Sequence, residues 1–147
     1  MLLILNLCKN NIAPIQLSSQ HIVTRSLTPP PFPLFKINVV GAVFEARKAI
    51  GVAVIIRDDK GKVIAALTKK IEAPLMDAIW AKAKAYETSI CFAPNVGLLI
   101  LFWRGDSLII SNTLCELSLP PSSIGSIVYG ILFSSHVFRR VEFSHVR

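Results

Sequence analysis

The chain has 147 residues, enough for one domain of ordinary size with a buried core. Sixteen lysines and arginines against nine acidic residues give a net charge of +7, which favours polyanionic partners such as nucleic acid. Hydrophobic residues make up 52% of the chain. No apolar run reaches the roughly 20 residues that a transmembrane helix needs, so we expect no membrane span.

The first 34 residues predict a poorly organised leader. Residues 1–7 superficially resemble a signal peptide, but they lack a basic segment and a small-residue cleavage site, so we expect an intracellular protein. Residues 28–33 contain four prolines and are typical of a polyproline linker. We therefore divide the chain into a leader at 1–34 and a domain at 35–147.

Three strands are predicted after this linker, at residues 36–44, 50–57 and 63–70, because apolar residues dominate each run. Asp58 to Lys62, which includes Gly61, is typical of a hairpin turn. Because the turns between the three strands are short, we expect them to form an antiparallel meander.

A helix is predicted at 76–92, where apolar residues recur at helical spacing; Asp77 could cap it and Pro94 follows its end. Further along, the pattern predicts an apolar strand at 98–103, a helix at 107–116, a helix at 124–134 and a last strand at 137–145. Polar or proline-containing breaks precede both helices. We expect serines 122 and 123 to cap the helix at 124–134. This order predicts an α/β fold with a mixed five-stranded sheet. A three-stranded meander and crossover strands form the sheet, and the helices pack on it.

Five motifs occur in the order in which the plant reverse-transcriptase-like ribonuclease H family has them. The chain resembles Lys-x-Asn-x-Asp-Gly-Ala at 36–42, the family's glycine-containing hairpin at 50–61, Ala-Glu-Ala-x-Ala at 81–85, Glu-Gly-Asp-Ser at 104–107 and Phe-x-His-Val-x-Arg at 143–147. The resemblance implies a ribonuclease H fold. The family occurs alone or at the end of retroelement polyproteins, and its last helix falls beyond Arg147, so the resemblance also implies a degenerate copy that lacks this C-terminal helix.

The resemblance implies an activity and a cofactor: hydrolysis of the RNA strand of an RNA–DNA hybrid with two Mg²⁺ ions held by converging carboxylates. Three of the family's acidic positions fall on Val40, Lys82 and Asp106, and the fourth lies beyond the chain. Valine offers no ligand atom. At ~4 Å and an effective dielectric constant of about 20, each unit-charge pair is worth about 4 kcal/mol, so a lysine repels the ions strongly. We therefore expect Asp106 alone to be insufficient for metal binding and hydrolysis to be lost.

Alternatives remain for the individual site residues. Asp106 is either a remnant of the metal site or the N-cap of the next helix, and we favour the cap. Lys82 is either a new phosphate contact or a neutral substitution, and we favour the latter. Asn38 could contact a nucleic-acid backbone or pair locally. A basic hairpin could hold phosphate or be a solvated turn; its cations are Arg57, Lys60 and Lys62.

Other residues with chemical potential have simpler interpretations. Trp80 and Trp103 could stack on bases, but core packing is the commoner role of tryptophan. Cys8, Cys91 and Cys115 form no metal-binding pattern and indicate reduced thiols. We therefore carry forward three hypotheses: a monomeric nucleic-acid-binding domain that no longer cuts, a nuclease with an unrecognised set of acids, and an interaction module or decayed retroelement product.

Overall fold

The computed structural model describes residues 23–24, 35–72 and 77–146. In these ranges the strands are β1 (Val23–Thr24), β2 (Phe35–Phe44), β3 (Ala49–Arg57), β4 (Val63–Glu72), β5 (Ile100–Gly105) and β6 (Arg140–His145). The helices are α1 (Ala78–Asn95), α2 (Leu108–Leu114) and α3 (Gly125–Ser134). The sheet has the order β1-β6-β5-β2-β3-β4, antiparallel among β2, β3 and β4 and parallel elsewhere. The predicted α/β fold with a mixed five-stranded sheet is confirmed, and β1 is an addition.

The meander forms because every second side chain of its strands is apolar. Val39 pairs with Val54, which pairs in turn with Leu67, and all three are buried on one face of the sheet. The hairpin between β3 and β4 is stabilised by Asp58, whose Oδ1 accepts hydrogen bonds from the backbone amides of residues 60 and 62 at 2.9 and 2.8 Å. Gly61 has a φ of +80°, which glycine adopts without strain. The predicted hairpin is confirmed.

Helix α1 crosses from the meander to the parallel half of the sheet. Asp77 is its N-cap and accepts a hydrogen bond from the Trp80 amide at 2.9 Å, as predicted. The predicted end at residue 92 is wrong, because Pro94 lies inside the helix. In the last turn the absent proline N–H removes one backbone hydrogen bond, and the helix ends at the next residue, Asn95. Gly97, with its φ of +81°, follows the C-cap residue.

The core lies between the sheet and the helices. Trp103 is completely buried, contacts the rings of Phe138 and Phe143, and donates its indole N–H to Ser89 Oγ of α1 at 2.6 Å. The interpretation of Trp103 as a core residue is therefore confirmed. Burial of a large apolar side chain stabilises the folded state by about 1.5–3 kcal/mol, so this cluster holds α1 firmly against β5 and β6.

Several predicted boundaries in the second half are wrong by two or three residues. Strand β5 begins and ends two residues later than predicted, and β6 begins three residues later because a short 3₁₀ turn, Ser135–Val137, follows α3. The predicted serine cap of α3 is also wrong: its N-cap is Ile124, and no side chain caps it. The remainder of the predicted leader, including the proline-rich linker, lies outside the described residues. In the described ranges no helix is both long and apolar enough to cross a bilayer.

Candidate functional site

The middle of β2 lies directly against the backbone of α1. A Cβ atom added to Gly41 would lie 2.3 Å from the carbonyl oxygen of Ala81 and 2.8 Å from the amide nitrogen of Lys82. Contacts this short are impossible for any other residue, so glycine is required where the helix crosses the strand. This close approach brings the position of Val40 and that of Lys82 to one place in the fold.

Strand β5 brings Asp106 to the same place. β2 and β5 are parallel, and their register pairs Ile37 with Trp103 and Asn38 with Arg104. Extended by two residues along both strands, the same pairing places Val40 beside Asp106, the residue that directly follows β5. The three positions at which the resemblance implies carboxylates therefore converge in the structure.

An ion pair occupies the centre of this site. Lys82 Nζ lies 3.1 Å from Asp106 Oδ2, with side-chain exposures of 29% and 61%. A pair this exposed contributes only about 0.2–1 kcal/mol to stability, because water screens it. Its chemical effect is larger, since the carboxylate has its negative charge neutralised by a cation of the same chain.

Asp106 does not cap α2, so the favoured interpretation of this residue is wrong. The N-cap is Ser107, whose Oγ accepts a hydrogen bond from the Ile110 amide at 3.4 Å. The helix begins at Leu108, and Ser107 immediately before it has the extended backbone of a cap. Asp106 stands one residue too early and pairs with Lys82 instead.

A buried tyrosine lies beneath the ion pair. Tyr86 is one helical turn after Lys82, and a Cβ atom at Gly105 would lie 2.3 Å from its hydroxyl oxygen. Burial raises the pKa of Tyr86 to about 12; the nearby Ser111 hydroxyl opposes this rise and the charge of Asp106 adds to it. Within the described residues the tyrosine hydroxyl makes no hydrogen bond of normal geometry. Tyr86 is therefore a neutral, buried phenol at physiological pH.

The residues present do not fit a pair of divalent metal ions. Mg²⁺ prefers several hard oxygen ligands, and this site offers the single carboxylate of Asp106, already paired with an ammonium group. In the described ranges no three or more His, Cys, Asp or Glu side chains are grouped as a metal site. Other acids nearby are engaged, because Glu87 forms an ion pair with Lys84 and Asp77 caps α1.

The predicted nucleic-acid contacts fall into two groups. Asn38 and Arg57 come together on one face of the sheet, where Arg57 Nη1 donates a hydrogen bond to Asn38 Oδ1 at 3.2 Å. Lys60 and Lys62 lie exposed in the hairpin beyond β3. Arg57 is four residues past the partner of Val40, about 13 Å along the strand, whereas Asn38 lies only two residues before Val40 on β2. The first group therefore adjoins the ion-paired site, and the second is remote from it.

Comparison with protein-family models decides the family. Residues 38–147 match the model described as reverse transcriptase-like. The chain belongs to this family. The match begins in β2 and includes all three converging positions, and this reverse transcriptase-like domain therefore carries Val40 and Lys82 within the matched region. A comparison with curated proteins found no match.

Solved structures show the fold of this domain. The ribonuclease H1 of Halobacterium salinarum NRC-1 superposes with a TM-score of 0.70 at 16% identity, over 77% of this chain and 85% of the other. The N-terminal ribonuclease H domain of a Mycobacterium tuberculosis protein gives 0.67 at 14% identity, over 78% and 82%. A compost-derived ribonuclease H1 solved with an RNA/DNA hybrid gives 0.62 at 16%, over 76% and 84%. The reverse transcriptase-like domain thus has the ribonuclease H fold.

Sequence reasoning missed two features near the site. It treated Tyr86 as a helix-periodic apolar residue, although the glycine at 105 signals a close approach at the end of β5. It gave no role to Arg104, although alternation along β5 places this side chain on the face opposite the buried Trp103. Both signals depend on knowing which strands are neighbours.

Proposed function

We propose that this chain is a nucleic-acid-binding domain in which two-metal hydrolysis has been lost. The observation that carries the proposal is the Lys82–Asp106 ion pair, with Nζ and Oδ2 3.1 Å apart, at the point where Val40 also converges. Asp106 is interpreted as the remaining acid of the family's site. Val40 and Lys82 then take the places of two others.

The electrostatics of the three positions support loss of hydrolysis. Three carboxylates carry a charge of −3, whereas Val40, Lys82 and Asp106 together carry no net charge. Two divalent cations need the negative charge to offset their mutual repulsion and their lost hydration. A site of zero net charge cannot supply it, and we infer that Mg²⁺ does not bind here with the geometry the reaction requires.

The charge of the whole chain supports binding of nucleic acid. The excess of seven positive charges favours polyanions through counterion release. The compost-derived ribonuclease H1 was solved with an RNA/DNA hybrid, which makes such a hybrid the first ligand to test. The odd number of cysteines, three, supports our expectation of an intracellular location, because it favours reduced thiols. We expect a monomer, and we infer retroelement ancestry in a plant from the motif resemblance.

Two assays on the full chain test the proposal. Fluorescence anisotropy with labelled RNA–DNA hybrid, RNA duplex and DNA duplex measures binding, and we expect the affinity to fall steeply with salt. Incubation of the hybrid with excess protein and Mg²⁺ or Mn²⁺ measures cleavage, and we expect none. Affinity independent of salt contradicts nucleic-acid binding. Metal-dependent cleavage that Asp106→Asn abolishes contradicts loss of hydrolysis.

A second candidate function is a protein-interaction module, which an exposed apolar surface favours. Val40 and Phe44 are 56% and 50% exposed on the sheet, and they line an open groove with Ala42 and Ala53. Large apolar patches of this kind commonly mark interaction sites or cause aggregation. Sedimentation velocity over a range of concentrations separates the two candidates: a monomer that binds hybrid favours the first, and self-association without hybrid binding favours the second.

A further inference from the structure

We propose that the domain contacts nucleic-acid backbone phosphates through a sheet-face cluster of Lys36, Asn38, Arg57 and Arg104. This inference rests on the proposed nucleic-acid binding and specifies the surface that carries it. The surface adjoins the ion-paired site, because Asn38 and Arg104 lie two residues before Val40 and Asp106, and it shares only Arg57 with the basic hairpin. It presents its side chains on the face of the sheet opposite the helices.

Strand register brings the cluster together. Lys36 pairs with Arg57 across β2 and β3, and Asn38 pairs with Arg104 across β2 and β5. Side chains two residues apart on a strand point to the same face, and the intervening Ile37 is completely buried on the other. Neighbouring strands lie about 4.8 Å apart and residues rise about 3.3 Å along a strand, so the backbone positions of the three cations lie within about 12 Å of each other.

In the part of the chain that the structure describes, none of these three cations forms an ion pair with a carboxylate. The hairpin is electrically balanced, since Lys60 and Lys62 stand beside Asp58 and Asp59. The ion pairs of the described residues are Lys82–Asp106, Lys84–Glu87 and Arg140–Glu142, and none includes a cation of the cluster. The 34 residues before β2 contain no Asp or Glu and cannot supply one. The cluster is therefore a local excess of positive charge.

The hydrogen bonds of the cluster also favour an anion. Arg57 is oriented by its bond to the neutral Asn38 amide, which leaves the rest of its guanidinium fork without a protein partner in the described ranges. Arg104 Nε is buried and has no hydrogen-bond partner in the same part of the chain. A buried, unsatisfied cationic N–H is costly. Phosphate oxygens match a guanidinium fork in both geometry and charge.

A pair of charge-matched variants of the full chain tests the proposal. Lys36→Gln/Arg57→Gln and Lys60→Gln/Lys62→Gln each remove two of the seven excess positive charges. The probes are fluorescein-labelled single-stranded RNA and an RNA–DNA hybrid, titrated at several salt concentrations. We expect the sheet-face variant to bind about tenfold more weakly and to lower the slope of log K against log salt by about 1.4–1.8, as for two lost phosphate contacts. We expect the hairpin variant to bind nearly as the wild type does.

A conservative variant controls for effects of the substitutions on the folded state. Arg57→Lys retains the charge and loses the fork, so we expect several-fold weaker binding with an unchanged salt slope. Equal losses in the two double variants, or wild-type affinity in Arg57→Lys, contradict the inference and leave the proposed function intact. No binding by the wild type contradicts the proposed function itself. Displacement of the probe by inorganic phosphate at constant ionic strength indicates a small-anion site and also overturns the inference.

Discussion

Reintroducing two carboxylates at the ion-paired site is the most direct test of why this domain should not bind paired metal ions. The double variant Val40→Asp/Lys82→Glu restores the charge of −3 that the family motif implies. At 3.1 Å and an effective dielectric constant of about 20, the attraction between Lys82 and Asp106 is about 5 kcal/mol. Because Asp106 is 61% exposed, its net contribution to stability is only about 0.2–1 kcal/mol. The variant should therefore fold, although repulsion among three carboxylates lowers its stability without metal.

Metal should then stabilise the double variant and leave the wild type unchanged. A cation at ten times its dissociation constant stabilises the folded state by about 1.4 kcal/mol, which raises the melting temperature by about 6 °C for a domain of this size. Thermal unfolding followed by circular dichroism, with and without Mn²⁺ or Mg²⁺, measures this shift. The control is Val40→Asn/Lys82→Gln, which removes the ammonium group but adds no charge. An equal metal-induced shift in the wild type, or none in a folded double variant, would refute the reasoning.

Three further outcomes follow from the same part of the fold. Gly41→Ala should destabilise the domain by about 2–4 kcal/mol in urea unfolding, because its Cβ would lie 2.3 Å from the Ala81 carbonyl oxygen. Asp77→Ala should cost about 1 kcal/mol in the same assay through loss of the hydrogen bond from Trp80, whereas Asp77→Asn should cost much less. Because the folded-state pKa of Tyr86 is raised from 10.0 to about 12, its stabilising effect is complete below pH 10 and is lost as pH rises through 12. Tyr86→Phe should remove this pH dependence, which amounts to up to about 2.7 kcal/mol in the free energy of unfolding. Urea unfolding of the wild type and of the variant as a function of pH measures the difference.

Local patterns were sufficient to predict the meander and the first helix. In β3 the apolar residues Val52, Val54 and Ile56 alternate with side chains of the other face, and this period of two identifies a strand whatever it packs against. The cap at Asp77 and the turn at Gly61 are likewise decided by residues within a few positions. These features depend on short-range geometry, which the sequence records directly.

The ion pair could not be predicted from local pattern. Lys82 and Asp106 are 24 residues apart, and their contact depends on the register of β2 with β5 and on the crossing of α1 over Gly41. The motif resemblance implied an acidic family position at both residues, yet we predicted a neutral substitution for Lys82 and a cap for Asp106. The added strand β1 was missed for a similar reason, because two residues carry no periodic signal.

The proposed loss of metal binding and the proposed binding of nucleic acid are electrostatically compatible. A carboxylate triad without its metal ions would present a charge of −3 to the phosphates of a bound strand and would repel them. The ion pair of Lys82 with Asp106, beside the neutral Val40, reduces that charge to zero without any bound ion. In the function proposed above, the cations of the sheet-face cluster attract phosphate with no opposing field from the ion-paired site, which makes metal-independent binding the physically consistent expectation.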